Sequence, residues 1–384
     1  MWTKTNNLLL LWASSFFRYI AGSSFMAVIP LYFNYRGLNY LEIGLISSLG
    51  SVMTIALPLL AGRAADVWSK KKVALISQIF SFTLVPLYIF ADNFLSLLPL
   101  QLFVPSLYGV SESVSSAIML DNAKVGKAGI NLAILRSAAI GWSVGSFSTG
   151  FIIQNYGFEY VFIFMSSFYL IAAFLIFGLK DVKPEIRVIH KSKSNFINLH
   201  VLSFLALIVL ILSTMPAFYS FLPLYLKNEL KVPENLIPLV FTITPLGEIP
   251  ITLIMGRFSD KFGRRKAVFI CLLAYPIRWT AIMMLSDFSL ILPVQILHGF
   301  TFAGLNATSI AYLADIVPAD SRGVISGAFS ASFSLALAIG GYALGFTVQN
   351  YGFKTMYLQA VITSLFAIVL FLVATVKKPY VKAS

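Results

Sequence analysis

The sequence predicts an all-α polytopic membrane protein in which twelve transmembrane helices form two pseudosymmetric six-helix bundles. Three observations predict this fold: the apolar composition, the number of long apolar stretches, and a short motif that occurs twice. Of the 384 residues, 58% are hydrophobic and 11% are charged, and the mean hydropathy is +0.85. A soluble globule of this length needs more polar residues to cover its surface. Most side chains are therefore expected to face lipid or other helices.

Twelve apolar stretches follow one another along the chain, each close to the roughly twenty residues that a helix needs to cross the hydrocarbon core. Arg18 interrupts the first stretch, and apolar residues continue to Phe33, which favours an uncleaved helix over a signal peptide. The predicted spans cover residues 8–34, 41–62, 73–91, 94–121, 129–153, 159–179, 199–226, 234–256, 266–286, 289–315, 322–347 and 354–376.

A short loop motif lies between spans 2 and 3 and occurs again between spans 8 and 9. Residues 62–72 read GRAADVWSKKK, and residues 256–266 read GRFSDKFGRRK, 194 positions later. Each copy has a glycine, an aspartate four residues later and three basic residues at its end. Ser69 stands in the first copy where Gly263 stands in the second. The repeated loop resembles the loops between helices 2 and 3 and between helices 8 and 9 of major facilitator superfamily transporters.

The repeat extends beyond this loop, so the resemblance covers nearly the whole chain. It implies two six-helix halves, residues 1–180 and 199–384, joined by a cytoplasmic linker at 181–198, and a central cavity lined by spans 1, 4, 7 and 10. Glycines at corresponding places in spans 5 and 11 predict close helix packing in both halves. The sequence matches are QNYGF at 154–158 and 349–353, Pro99 and Gln101 with Pro293 and Gln295, Pro30 and Tyr32 with Pro223 and Tyr225, and Asp121 and Gly129 with Asp315 and Gly323.

The distribution of Lys and Arg predicts the orientation in the membrane. With both termini in the cytoplasm, 21 basic residues lie on the inner side and 4 on the outer side. Cytoplasmic loops of membrane proteins carry such an excess of basic residues. The sequence therefore predicts a multi-pass protein of the plasma membrane with both termini cytoplasmic.

Six ionisable residues lie inside the apolar spans, where a charge is costly unless it is paired or hydrated. In the first half, the helical rise places Glu112 about 13 Å, Arg136 about 10 Å and Arg18 about 15 Å from the inner ends of their helices. These depths predict that both arginines can pair with Glu112. The alternative is that Arg136 extends to the inner surface. The six candidates for the solute or proton path are Arg18, Glu112, Arg136, Glu248, Arg278 and His298.

The second half has a similar but less regular set of charges. Glu248 lies about 12 Å and Arg278 about 18 Å from the inner ends of their helices, so a long arginine side chain would have to bridge them. Prolines and a glycine flank Glu248 and are expected to loosen its helix. His298 could carry protons, since its unperturbed pKa is near neutrality, or it could be a hydrogen-bonded histidine between helices.

The two signature loops have an expected role of their own. In the family that they resemble, each aspartate faces a helix amino end of the opposite half and helps to hold the inner side closed. We also expect their basic residues to pair with Asp121 and Asp315 at the inner ends of spans 4 and 10. The candidate inner-gate residues are Gly62, Asp66, Lys71, Lys72, Asp121, Gly256, Asp260, Gly263, Arg264, Arg265 and Asp315.

These observations favour a secondary transporter of the superfamily, moving a small organic solute by alternating access with proton coupling through Glu112 or Glu248. The basic residues lie in short loops and not in one patch, so no nucleic-acid partner is expected. No nucleotide-binding glycine loop occurs, which disfavours ATP as the energy source. We expect a monomer without cofactor or metal, and no enzyme activity. The alternatives are a transporter-like membrane sensor and, less favoured because Cys271 is the sole cysteine and histidines are few, an intramembrane enzyme.

Overall fold

The computed structural model describes residues 2–121, 134–180, 199–318 and 321–374, and these residues form helices and turns without a β-strand. The helices of the first half are α1 (Trp2–Tyr35), α2 (Tyr40–Val67), α3 (Lys70–Leu84, continued by a 3₁₀ helix at Val85–Phe90), α4 (Phe94–Asp121), α5 (Ile140–Tyr156) and α6 (Phe158–Phe177). Those of the second half are α7 (Leu199–Leu212), α8 (Pro216–Tyr219), α9 (Leu222–Asn228), α10 (Leu239–Phe262), α11 (Arg264–Met284), α12 (Phe288–Val294), α13 (Leu305–Ile316) and α14 (Arg322–Ala374).

The described residues contain ten helical segments that are long and apolar enough to cross a membrane. One of them, Arg322–Val373, has 52 residues and divides at Gly352, where the backbone leaves the helical conformation. A further helix, α5, has 17 residues. These segments are consistent with the predicted twelve spans, and the prediction of an all-α polytopic membrane fold is confirmed.

The repeated sequence QNYGF has the same backbone conformation in both halves. Gly157 has φ 92° and ψ 179°, and Gly352 has φ 82° and ψ 171°. Residues with a side chain rarely adopt such positive φ values, so glycine permits the sharp turn between two antiparallel helices. In the first half α5 ends at this turn and α6 begins after it. The sequence repeat is therefore also a structural repeat.

Prolines and a π-helix interrupt two of the spans in the second half. Span 7 is divided into α7, α8 and α9, and Pro216 and Pro223 lie in the first turns of α8 and α9. Proline is favoured at that position because its missing N–H is not needed there. Span 10 runs from α12 through a 3₁₀ turn at Gln295–Leu297 and a π-helix at Gly299–Gly304 into α13. Single π turns are frequent at functional sites.

The chain forms two compact units, each with its own packing. Among the described residues, the first unit contains those up to Lys180 together with Lys231–Thr242, and the second contains the remainder. In the first unit α1 packs on α5 and α6, and α4 packs on α2 and α3. In the second, α14 packs on α7 and α11. The predicted linker at 181–198 and Gly129 lie outside the described residues, and the predicted domain boundary stays a prediction.

Candidate functional site

In the first unit an arginine of α1 and a glutamate of α4 form an ion pair within the membrane-spanning helices. Arg18 Nη2 donates to Glu112 Oε2 at 2.5 Å. The Tyr19 hydroxyl donates to the same carboxylate, 3.0 Å from Oε1 and 3.1 Å from Oε2. The Arg18 side chain is 1% exposed, whereas that of Glu112 is 37% exposed. The carboxylate is therefore the accessible member of a pair whose cation is buried.

Two tyrosine rings enclose the Arg18 guanidinium. Its central carbon lies 4.9 Å from the ring centres of both Tyr19 and Tyr108. Gly22 makes room for one of them, since a Cβ there would lie 2.5 Å from the Tyr108 ring. Arg18 Nε and Nη1 have no hydrogen-bond partner among the described residues. The aromatic faces thus replace part of the hydration that this cation loses on burial. A desolvated cation–π contact contributes about 2 kcal/mol.

The predicted pairing of Arg136 with Glu112 is wrong. Arg136 lies in a helical segment at 134–137, and its side chain is exposed. The next residue, Ser137, accepts a hydrogen bond from Trp12 Nε1 at 3.0 Å. The helical rise used for the prediction gives the depth of a residue but not the direction in which its side chain points. Arg136 has a suitable depth, but it is exposed, and the described residues show no ion pair between it and Glu112.

In the second unit Arg278 of α11 is fully buried and bound by neutral acceptors. It donates to Gln295 Oε1 at 2.8 Å, to His298 Nδ1 at 2.9 Å and to Thr301 Oγ1 at 3.0 Å. Its central carbon lies 4.4 Å from the ring centre of Phe218. The guanidinium is 0% exposed. Neutral polar groups and an aromatic ring therefore stabilise the buried guanidinium of Arg278.

His298 lies between Arg278 and Glu248, so the predicted direct bridge between these two residues is replaced by a chain of three side chains. His298 Nε2 is 3.5 Å from Glu248 Oε1. Because arginine can only donate, Nδ1 of His298 must accept, and the ring proton of the neutral imidazole is then on Nε2, facing the carboxylate. The described residues show no ion pair between Glu248 and Arg278. Their different depths leave room for the imidazole.

Close packing of α10 against the π-helix brings Glu248 to His298. A Cβ on Gly247 would lie 2.7 Å from the carbonyl oxygen of Ile296, and one on Gly299 would lie 2.6 Å from that of Gly247. Small residues allow such backbone contact between membrane helices. Glu248 follows Gly247, and His298 precedes Gly299, so these contacts bring the carboxylate and the imidazole together. The adjacent glycines, Gly247 and Gly299, are therefore the sequence feature that indicates where Glu248 and His298 meet.

Both signature loops carry an ion pair to the carboxyl-terminal end of the fourth span of their own half. Lys70 Nζ lies 2.5 Å from Asp121 Oδ2, and Arg264 Nε lies 3.2 Å from Asp315 Oδ2. Arg264 also pairs with Asp260. Each pair to the fourth span joins residues 51 positions apart.

The pairing of Asp121 with Lys71 or Lys72 was predicted and is corrected by the structure. Lys71 instead donates to the carbonyl oxygen of Leu179 at 2.6 Å, at the end of α6. Sequence reasoning missed Lys70, although the 194-residue repeat aligns it with Arg264. Asp66 is exposed in α2.

The two loops begin the helix that follows them in different ways, which explains the serine in the first copy. Gly263 precedes α11 with φ 99°, in the region that favours glycine. Ser69 precedes α3 with φ 177°, which is extended backbone, and its hydroxyl accepts from the Lys72 N–H at 3.3 Å. Serine therefore replaces glycine because the first loop uses an N-cap hydrogen bond.

Substitution of Gly263 and of Ser69 tests this difference between the two loops. Gly263→Ala is expected to lower the unfolding free energy by about 1 kcal/mol, because alanine is strained at positive φ. Ser69→Gly is expected to cost only a few tenths of a kcal/mol, and Ser69→Ala about 1 kcal/mol. Thermal unfolding of the purified variants in the same detergent measures the order of their losses in stability. A larger loss for Ser69→Gly than for Gly263→Ala would contradict this account of the loops.

The side-chain chemistry within the described ranges offers no group of three or more His, Cys, Asp or Glu residues that could hold a metal ion. Cys271 is buried and unbridged. The two charge sites, Arg18 with Glu112 and Arg278 with His298 and Glu248, can bind polar groups and exchange protons. They have the composition of binding sites within a membrane bundle.

Comparison with known proteins identifies transporters. A family model described as the MFS_1 like family matches residues 8–359. Sugar efflux transporter A of Escherichia coli (strain K12) is 20% identical over 348 residues, 87% of each chain. The citrate-proton symporter of Klebsiella pneumoniae is 32% identical over 149 residues, 36% of this chain and 32% of that protein. The crystal structure of the nucleoside transporter NupG matches with a TM-score of 0.81 and 16% identity, covering 97% of this chain and 100% of that chain.

The family model spans most of the sequence, including both signature loops and both charge sites. The resemblance to major facilitator superfamily transporters, predicted from the repeated loop, is confirmed. The chain belongs to the MFS_1 like family of multi-pass membrane transporters.

Proposed function

We propose that this protein is a secondary active transporter that moves a small organic solute by alternating access and couples that movement to protons. The observation that carries the proposal is the Arg18–Glu112 pair, in which a half-exposed carboxylate is bound to a buried cation. Charges inside a membrane bundle are costly and mark solute or proton pathways. The relatives named for sugar efflux, citrate–proton symport and nucleoside transport support a small solute.

Proton coupling has a direct physical route at Glu112. When the carboxylate is ionised it holds Arg18 and Tyr19, and when it is protonated the charge attraction to Arg18 is lost. Binding of a proton can thus change which groups face the solute. Glu248, beside His298, is the second candidate for the same role. A sensor without flux would not need a half-exposed carboxylate in each unit, so the transporter is favoured.

The experiment that tests this function is solute flux in proteoliposomes. Purified protein is reconstituted, and uptake of labelled sugars, nucleosides and citrate is measured with and without an imposed pH gradient. We expect at least one solute to move faster than in protein-free liposomes and to accumulate when the gradient is present. Absence of flux for the whole panel, with correctly folded protein, would contradict the transporter assignment.

The signature aspartates are proposed to hold the inner side closed in the outward-facing state. Asp66→Asn and Asp260→Asn are then expected to shift the protein toward the inward-facing state, because each loses charge attraction to a helix amino end. A cysteine introduced at Ser115 in a Cys271→Ser background should be labelled faster from the cytoplasmic side in both variants. Unchanged labelling in both would remove the aspartates from the gate.

Both termini are proposed to be cytoplasmic, on the basis of the 21 to 4 division of basic residues. A protease site inserted near Ser194 is expected to be cut only from the cytoplasmic face, in inside-out vesicles. An insertion beside Lys231 supplies the matched control and should be cut only from the other face. Cleavage at Ser194 in sealed right-side-out vesicles would reverse the orientation.

A further inference from the structure

At both charge sites the acid is partly exposed and the basic side chains are buried. Glu112 is 37% exposed and Glu248 27%, whereas Arg18 is 1%, Arg278 0% and His298 2% exposed. Charged side chains facing hydrocarbon are disfavoured, so the exposed parts of these carboxylates are expected to face a water-accessible path. A solute that reaches either site therefore meets a carboxylate first.

The two carboxylates retain free acceptor positions. Each carboxylate has about four lone-pair directions. Arg18 and Tyr19 supply two donor protons to Glu112, which leaves about two directions open. Glu248 has His298 near Oε1 at 3.5 Å, and no donor to its Oε2 is found among the described residues. Both sites thus offer hydrogen-bond acceptors to a solute.

Half-buried aromatic rings continue the second site beyond Glu248. Phe302 stacks on His298 with ring centres 5.4 Å apart, and Phe333 meets Phe302 edge-on at 5.8 Å. Tyr219 lies edge-on to His298 at 5.9 Å. Tyr219, Phe302 and Phe333 are all partly exposed. These rings offer apolar faces next to an acceptor, a combination that suits a ring-shaped solute with donor groups on its edge.

We infer that the solute is a neutral or cationic molecule rich in hydrogen-bond donors, such as a polyhydroxylated ring, and that carboxylated or phosphorylated solutes are excluded. This inference rests on the proposed transport function and adds the class of solute. An anion that reached either site would approach its partly exposed carboxylate, while the arginine of that site is buried. The negative charge of the solute and that of the carboxylate would repel each other more strongly in a partly desolvated site than in water.

The test is a matched series of solutes that differ in one charge. Binding of glucose, glucosamine and glucuronate, and of adenosine and its 5′-monophosphate, is measured by thermal stabilisation of the purified protein across a concentration range. We expect at least one neutral or cationic member to stabilise the protein, and its anionic counterpart to need at least tenfold higher concentration. Equal or tighter binding of the anionic member, or binding by none of the series, would overturn the inference.

Substitution of the acids tests whether they cause the exclusion. Glu112→Gln leaves Arg18 without its counter-charge, so the preference against the anionic member should fall by about tenfold or reverse. Glu248→Gln provides a second variant in case the first does not fold. Glu229→Gln removes an exposed acid elsewhere and should keep the wild-type ratio. An unchanged ratio in both site variants would contradict the inference.

Binding and flux separate this inference from the proposed function. Binding in the expected order without flux of any member, in folded reconstituted protein, would contradict the transporter assignment and support the class of ligand. Flux of anions alone would support transport and overturn the class of solute.

Discussion

Glu112→Gln is expected to abolish accumulation of solute driven by a pH gradient, while exchange of solute across the membrane continues. Glutamine keeps an oxygen that can accept from Arg18 and Tyr19, so the contacts of the pair are largely retained. It cannot bind or release a proton, and the contribution of the proton to transport is lost. The rate of exchange should therefore become nearly independent of pH. Counterflow and pH-driven uptake, measured on the same proteoliposomes, separate the two activities.

Glu248→Gln is the paired control for this prediction, because it changes the second half-exposed carboxylate in the same way. If Glu112 carries the coupling proton, Glu248→Gln should retain some accumulation. Accumulation that persists in Glu112→Gln and disappears in Glu248→Gln would move the coupling to the chain of Arg278, His298 and Glu248.

Gly340→Leu is expected to prevent correct folding of the second unit. A Cβ at this position of α14 would overlap the carbonyl oxygen of Ser213, immediately after α7. Backbone atoms cannot move aside as a flexible side chain can, and overpacking of a dense interior costs about 1–3 kcal/mol or more. The first unit has the same arrangement, since a Cβ on Gly145 would overlap the carbonyl oxygen of Ile20 in α1. The two contacts repeat each other and both hold the first span of a half against its fifth.

Gly327→Leu is a matched control on the same helix, since no described atom lies within 4 Å of a Cβ built there. The yield of monodisperse protein and its melting temperature in detergent should be close to wild type for this variant. Gly340→Leu should give aggregated protein or a melting temperature lower by several degrees. A normal melting temperature for Gly340→Leu would show that α7 and α14 do not depend on this contact.

The parts of the fold that follow from composition and repetition were predictable. Twelve apolar stretches and a motif repeated after 194 residues predict the helices and the two halves, because helix length is set by bilayer thickness. The repeat also predicts which lysine of the first loop pairs with Asp121. Aligning Lys70 with Arg264 predicts the Asp121 pair correctly, whereas the prediction from Lys71 and Lys72 does not.

The depth of the charged residues along their helices was predictable, but which of their side chains contact each other was not. The rise of a helix correctly places Arg18 near Glu112, but it places Arg136 at a similar depth. Only the structure shows that Arg136 is exposed and that Arg18 is the residue that pairs with Glu112. The position of His298 between Arg278 and Glu248 depends on a π-helix and on contact between Gly247 and Gly299. Local sequence does not specify either feature, since both arise from packing between distant segments.

The measurement that tests the transport account most directly is accumulation of solute in proteoliposomes with an imposed pH gradient, followed by addition of a protonophore. Wild-type protein is predicted to raise the internal concentration of a neutral solute above the external one and to lose this excess when the protonophore is added. Glu112→Gln should equilibrate the solute without the excess. Accumulation in the wild type that the protonophore leaves unchanged, or equilibration alone under a full gradient, would contradict proton-coupled transport by this protein.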